Sequence, residues 1–258
     1  MSDGQETVDY PEYTLSEDLW HEERSPWHTH RAAIICDTAR RHPFEGGFAD
    51  VGGGSGYLAL MLGRAFADRD CFLVEPGYEA CLRARERGVE LVYSTAYRDF
   101  SFDEKKIGGV GLFDVIEHVE DDAGFLRDLA QQAGPGTRFY ITVPAYGWLW
   151  SDVDDYSQHH RRYDRGMIQR LADRTGLQVR LNAYFHSYLP PFTFLLRCLP
   201  YRLGLTRTPD EILESATQQL EPSGLGAWIF ERGGAWERAR FGDRGMRFGA
   251  SCIAVLDR

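Results

Sequence analysis

Three short stretches carry residue types that could do chemistry together. In Asp50-Val51-Gly52-Gly53-Gly54-Ser55-Gly56-Tyr57 an acid ends an apolar run and glycines recur at 52, 54 and 56, just ahead of Leu58-Ala59-Leu60-Met61-Leu62. Glycine reaches positive φ and lets a ligand lie against bare backbone. The helix that follows offers free N–H groups and a positive dipole end. This is a cradle for a nucleotide-like cofactor. The second stretch, Phe72-Leu73-Val74-Glu75, ends an apolar run in a carboxylate. An acid at the tip of a second strand can accept from both hydroxyls of a ribose, or it can simply be a solvated strand end. In the third, Glu117-His118 follows the apolar run Val110–Phe113 and Asp114. An imidazole titrates near working pH, so His118 is the candidate general base; packing beside a cofactor is the competing role.

Two registers fit the glycines. Gly54-x-Gly56-x-x-Ala59 matches the dinucleotide fingerprint but starts late after the strand end. Asp50-x-Gly52-x-Gly54-x-Gly56 fits the strand end better and resembles motif I of the class I S-adenosylmethionine-dependent methyltransferases. The likeness extends through Val110-Gly111-Leu112-Phe113-Asp114-Val115-Ile116-Glu117-His118, Phe125-Leu126-x-x-Leu129-Ala130, Gly134-Pro135-Gly136 and Phe139-Tyr140-Ile141-Thr142-Val143-Pro144-Ala145, covering residues 46–145. Pro144-Ala145-Tyr146-Gly147-Trp148-Leu149-Trp150, His159-His160-Arg161-Arg162-Tyr163, and Trp27 with Arg31-Ala32-Ala33-Ile34-Ile35 resemble a bacterial subgroup tied to polysaccharide or secondary-metabolite pathways.

The resemblance implies S-adenosyl-L-methionine as cofactor and a set of contacts. Backbone at Gly52, Gly53, Gly54 and Gly56 would face the amino-acid and ribose parts, with Asp50 orienting the loop and Glu75 on the ribose. Thr95 stands where the family often has an acid for the adenine amine, which leaves the Ala96 backbone to read the ring. Phe113 and Asp114 would lie by the methionine moiety. Arg31 would pair with the cofactor carboxylate or form a surface ion pair. Tyr146, Trp148, Trp150, Tyr156 and His159 would line an acceptor pocket, or the aromatics would be core for a lid. Asp152-Val153-Asp154-Asp155 followed by His159-His160 invites a metal, but no regular ligand spacing appears and none is expected.

Positioning these residues takes an α/β sheet. Strand-like runs near 47–51, 71–75, 89–93, 109–114 and 138–143 alternate with helical stretches near 56–67, 77–87 and 121–133, which implies a parallel sheet covered on both faces. A helix near 165–175, a strand near 177–184 and a last strand at Ala250–Leu256 complete a doubly wound, seven-stranded sheet. The expected organisation is one domain. A helical cover spans residues 1–45, loose over 1–13 and helical over 14–42 with Pro43 as stop. A Rossmann-like core spans 46–187, an insertion 188–248, and the final strand 249–258. The insertion opens apolar and aromatic at Tyr188-Leu189-Pro190-Pro191-Phe192. The resemblance places it over the substrate; a dimer interface, an extra core layer or an amphipathic contact with a membrane surface are the other readings.

Bulk properties narrow the partners. The chain has 258 residues, 43% hydrophobic and 26% charged, with a net charge of −10. That balance is of an ordinary globular protein and argues against a nucleic-acid substrate. The five cysteines, Cys36, Cys71, Cys81, Cys198 and Cys252, form no C-x-x-C or Cys/His zinc spacing. Scattered thiols, and a polar acidic start without a signal-peptide core, point to the cytoplasm. The expected activity is methyl transfer to a hydroxyl or amine of a small metabolite, a sugar or a natural-product intermediate. An NAD-dependent oxidoreductase and a non-catalytic partner subunit are the rivals, and the oligomeric state is left open.

Overall fold

The computed structural model describes residues 22–220 and 224–258. The segment expected to be loose over 1–13, and the helical reading of 14–21 with Trp20, lie outside the described residues. Within them a 3₁₀ turn, Glu22–Arg24, precedes helix α1 (Pro26–Arg41). The expected single helix is broken here because Ser25 and Pro26 form a start signal. The Ser25 side chain accepts from the His28 backbone N–H, and Pro26 occupies the first turn, where no intrahelical donor is needed.

The chain then alternates β1 (Gly47–Val51), α2 (Tyr57–Ala65), β2 (Cys71–Glu75), α3 (Tyr78–Glu86), β3 (Leu91–Ser94), β4 (Ile107–Phe113), α4 (Asp122–Ala133) and β5 (Arg138–Pro144). Asp121 caps α4 by accepting from Gly124 N–H, and the chain turns at Gly134. After α5 (Asp152–Tyr156) come α6 (Arg165–Thr175) and β6 (Gln178–Phe185). Most of the described residues between β6 and β7 are helical. It runs from α7 (Pro190–Thr193) through a π-helical turn at Phe194–Cys198 to α8 (Leu199–Arg202), then α9 (Pro209–Leu220) and α10 (Gly224–Phe241), before β7 (Ser251–Asp257).

The seven strands form one sheet in the order β3-β2-β1-β4-β5-β7-β6. The first five are parallel, whereas β7 runs antiparallel to both β5 and β6. Alternation of strands and helices predicts the parallel part. It is blind to β7, because a strand flanked on both sides and covered on both faces is apolar in either direction; six of its seven residues are buried. The edge strand β3 has no fully buried residue, as an edge requires.

Two apolar layers hold the sheet. On one face Leu126, Leu129 and Ala130 of α4 and Ile168 and Leu171 of α6 pack on Val110, Leu112, Phe139 and Ile141. On the other, Ile34 and Ile35 of α1, Leu58 and Leu62 of α2 and Phe241 of α10 pack on Phe48, Tyr140, Phe185 and Val255. The order of the strands turns around between β1 and β4, and α/β sheets of this type bind ligands outside the carboxyl ends of the strands at that switch point.

Candidate active site

At the carboxyl end of β1 the chain makes three left-handed turns, with φ +71° at Gly52, +52° at Gly54 and +74° at Gly56. The glycines serve different ends. A Cβ on Gly54 would meet nothing within 4 Å, so this position opens onto space. A Cβ on Gly53 would lie 2.4 Å from Asp50 Oδ2, which places the Asp50 carboxyl directly under the loop. A Cβ on Gly56 would lie 2.8 Å from Ala84 Cβ and 3.0 Å from Val89 Cγ2, so Gly56 lets α2 approach α3. Glu75, fully buried, braces the loop. Its Oε2 accepts from Gly54 N–H at 3.0 Å and its Oε1 from Gly77 N–H at 2.6 Å. Burial pushes the Asp50 carboxyl up to about 7, with Arg31 pulling it back and Glu75 pushing it further.

The end of β4 turns outward at Asp114, whose φ is +60°. Its carboxylate takes Arg31 Nη2 at 2.9 Å and the Thr142 hydroxyl at 3.1 Å, and Arg31 Nη2 also donates to Thr142 Oγ1 at 3.1 Å. Arg31 is thus held across the sheet from α1, with Trp27 beneath its guanidinium at 5.4 Å. A 3₁₀ turn, Ile116–His118, follows. Burial raises the Glu117 carboxyl well above its usual range, and the nearby Asp114 charge adds to this. Burial, then the neighbouring His159, lowers His118 to about 4. The two imidazoles meet edge to face with centroids 4.7 Å apart.

Behind them Asp154, fully buried, organises the segment that follows α5. It accepts from Ser151 N–H at 2.9 Å and from Arg162 Nε at 2.6 Å, and it lies 2.9 Å from His159 Nδ1. Arg161 donates to the Val119 and Glu120 carbonyls, so His159–Tyr163 is stitched onto the loop after β4.

These groups border one cavity of about 920 Å³. Gly52, Gly53, Gly54, Tyr57, Leu58, Ala80 and Arg83 line one end. Arg31, Phe113 and Asp114 lie midway. Glu117, His118, His159 and Arg162 face the other end, under Leu189, Phe192, Arg197, Arg207, Ile229 and Phe230 of the insertion. The insertion also docks on α1: Glu237 of α10 accepts from Ser187 N–H at 2.9 Å and lies 3.6 Å from His30 Nε2.

The structure gathers Gly52, Gly53, Gly54, Phe113, Asp114, Arg31, His118 and His159 on this wall, with Asp50 and Glu75 buried behind the loop. It places the other expected residues elsewhere. Gly56 is a packing glycine. Thr95 and Ala96 are not among the lining residues; Thr95 N–H is held by the Glu75 carbonyl at 3.1 Å. Tyr146, Trp148, Trp150 and Tyr156 do not line the cavity either. Tyr146, at φ +58°, turns away and stacks on Tyr184 at 4.8 Å and Trp148 at 5.5 Å, while Trp150 donates to Asp155. The apolar lining comes instead from Trp27, Phe192, Ile229 and Phe230. His118 faces the acceptor end but is a weak base when held near 4, since proton abstraction is most efficient with a pKa near working pH. Sequence reasoning missed Arg162, Arg197 and Arg207. The one available signal was Arg197 standing alone in the apolar run Phe192–Leu199.

Among the described residues no helix is long and apolar enough to cross a membrane. Leu195 and Leu203, in and just after the α7–α8 stretch, are exposed and do not line the cavity.

Comparison with known proteins agrees with this geometry. A family profile described as "Methyltransferase domain" matches residues 37–182. The ubiquinone biosynthesis O-methyltransferase of Aeromonas salmonicida is 30% identical over 148 residues, 51% of this chain and 62% of that protein. The chain therefore spans less than two thirds of that curated relative. Among solved structures, the methyltransferase in complex with the Haloferax volcanii Trm112 activator matches 96% of this chain and 97% of its own at 19% identity and a TM-score of 0.57. The plantazolicin methyltransferase BpumL matches 89% and 85% at 12% identity and a TM-score of 0.55. With the seven-stranded sheet, the antiparallel β7 and the glycine loop at the switch point, the chain belongs to the class I S-adenosylmethionine-dependent methyltransferases.

Proposed function

We propose that this protein transfers a methyl group from S-adenosyl-L-methionine to a hydroxyl of a small acceptor that has an apolar body and an anionic end. The observation that carries this reading is the single cavity joining the glycine loop to the Glu117–His118–His159 corner.

The cofactor fits the residues present. The open face of Gly54 admits a ligand against backbone, Asp114 and Arg31 offer opposite charges for an amino-acid zwitterion, and Leu58, Ala80 and Arg83 surround the far end. Bound there, it supplies an electrophilic sulfonium methyl. Glu75 braces the loop, and taking a ribose means exchanging its Gly54 N–H bond for hydroxyl donors. The chain's own task is alignment, which is worth roughly 7–11 kcal/mol when two reactants are held in line.

The acceptor's anionic end follows from charge. Arg207 binds Asp152 through two nitrogens, at 3.0 and 2.7 Å, and Arg162 binds Asp154. Both acids are thereby engaged, and Arg197 on the π-helical turn has no hydrogen bond or ion pair among the described residues. Burial lowers Arg197 to about 10, with Arg207 and Arg162 adding to the effect, so it stays charged at neutral pH. A carboxylate or phosphate would compensate it. Methylation at oxygen is the chemistry of the curated relative, an O-methyltransferase.

Calorimetry with S-adenosylmethionine, S-adenosylhomocysteine and NADH tests the cofactor, followed by labelled-methyl transfer to hydroxylated aromatic carboxylates and to their uncharged amides. We expect micromolar binding of the two sulfur compounds, none of NADH, and transfer to the acids. Arg197→Met should raise KM for the acids by about tenfold or more, the scale of a charge-assisted hydrogen bond of ~1.5–3 kcal/mol. Tight NADH binding with no response to S-adenosylmethionine returns the oxidoreductase reading. Binding without turnover on any acceptor favours the partner-subunit reading.

A further inference from the structure

Three side chains of metal-ligating type, distant in sequence, meet at the acceptor end of the cavity. One ligand atom from each of Glu117, His118 and His159 lies within 4.8 Å of the other two. Glu117 is fully buried, and neither of its carboxylate oxygens has a hydrogen-bond partner in another described residue. An unpartnered carboxylate in that position is expensive to bury. His159 is held from behind by the Asp154 carboxylate, 2.9 Å from its Nδ1. Outer partners of this kind, a carboxylate or a backbone carbonyl on the second ring nitrogen, are the ones that orient metal-bound histidines. Asp154 is itself fixed by Arg162 and Ser151.

We propose that Glu117, His118 and His159 bind one divalent cation, with its remaining positions open to the acceptor's oxygen. The proposal rests on the methyltransferase reading of the cavity for its purpose, though not for its geometry. The corners of a triangle of side 4.8 Å lie about 2.8 Å from its centre. Side-chain movements of under ~1 Å would bring the donors to the roughly 2.0–2.2 Å of nitrogen and carboxylate ligation. One carboxylate and two imidazoles with open positions suit manganese, ferrous iron or zinc rather than calcium. A cation there would draw the acceptor hydroxyl to the end of the cavity facing Asp114 and favour its deprotonated form, work for which a weakly basic His118 is poorly suited. The absence of ligand spacing in the sequence has a simple cause: α4, β5 and α5 intervene between His118 and His159.

The test is calorimetric titration of the metal-stripped protein with Mn²⁺, and pulsed electron paramagnetic resonance of the bound ion to detect coupling to imidazole nitrogen. The same titrations are made on Glu117→Gln and His159→Gln, with S-adenosylhomocysteine binding measured on all three proteins. Expected are one Mn²⁺ per chain, nitrogen coupling in the wild type, affinity lowered by at least ~10-fold in each variant, and S-adenosylhomocysteine binding retained. Wild type that binds S-adenosylhomocysteine but not Mn²⁺ overturns the metal site and leaves the methyltransferase standing. So does Mn²⁺ binding unchanged in both variants. Mn²⁺ bound with nitrogen coupling by a protein indifferent to S-adenosylhomocysteine supports the site and refutes the proposed function instead. Should Glu117→Gln fail to fold, His159→Gln alone decides.

Discussion

Gly54→Ala and Gly56→Ala should separate binding from folding. The same motif contains both glycines, and both have positive φ, so an alanine at either incurs roughly 1–2 kcal/mol of left-handed strain. They differ in what the new methyl meets. At Gly54 it meets nothing within 4 Å and projects into the space proposed for the cofactor. At Gly56 it lies 2.8 Å from Ala84 Cβ and 3.0 Å from Val89 Cγ2, well inside ordinary carbon contacts of about 3.5–4.0 Å. Forcing a methyl into a packed helix contact adds ~1–3 kcal/mol. The Gly56 variant should then lose roughly 2–5 kcal/mol in total, and at about 2–4 °C per kcal/mol its Tm should fall by about 4–20 °C. The Gly54 variant should lose a few degrees only, but its affinity for S-adenosylhomocysteine should drop by tenfold or more, about 1.4 kcal/mol. Thermal unfolding and calorimetry on the two variants read both quantities. If Gly54→Ala binds S-adenosylhomocysteine as wild type does, the open face of Gly54 is not a cofactor contact, and the assignment of the loop fails.

Two further substitutions probe the acids behind the loop. Glu75→Gln keeps the shape, but its amide must present a donor to either Gly54 N–H or Gly77 N–H, so stability and S-adenosylhomocysteine affinity should each fall by about 1–3 kcal/mol; a lowered Tm with an unchanged Kd would make Glu75 a brace and nothing more. Asp50 has a folded pKa of about 7 against an ordinary 3.8, so between those values the folded state retains a proton that the unfolded state has released. Its contribution to stability is therefore full below 3.8 and is lost as pH rises through 7. Asp50→Asn cannot titrate, so wild type should lose Tm relative to the variant between pH 5 and 8; parallel Tm–pH curves would contradict the buried placement.

What was legible in the sequence was local. The strand–glycine–helix unit, the acid at the tip of β2 and the alternation through β5 are each written within a few residues, because glycine conformation and strand burial are local constraints. The antiparallel direction of β7 was not, since its apolar run reads alike both ways. The aromatics from Tyr146 to Trp150 misled for a related reason. Composition shows that a ring will be covered but not by what, and the left-handed turn at Tyr146 aims this cluster at Tyr184 and Phe248 instead of at the cavity. Gly56 matched a binding motif while the structure uses it to seat α2 on α3. The acceptor wall is assembled from Val153, Arg162, Phe192, Arg207 and Ile229, and no window of sequence holds more than one or two of these.

The distribution of unsatisfied buried polar groups argues that this cavity is built for ligands. Among the described residues two carboxylates have both oxygens without a hydrogen bond of normal geometry, Asp50 and Glu117. One lies under the glycine loop and the other at the acceptor end. On the same wall Arg197 adds a guanidinium with no hydrogen bond or ion pair among the described residues. Each is destabilising in an empty protein, and apolar replacements would make a more stable fold. Sites that retain such groups sacrifice stability for function. An acid and a guanidinium that both line the acceptor end suit a ligand set that supplies a cation to Glu117 and an anion to Arg197, which a divalent metal and an acidic acceptor would do together. Metal and acceptor should then bind cooperatively, each raising the affinity of the other by the same factor. An acidic acceptor whose Kd is identical with and without Mn²⁺ would show instead that Arg197 and the Glu117–His118–His159 group act independently.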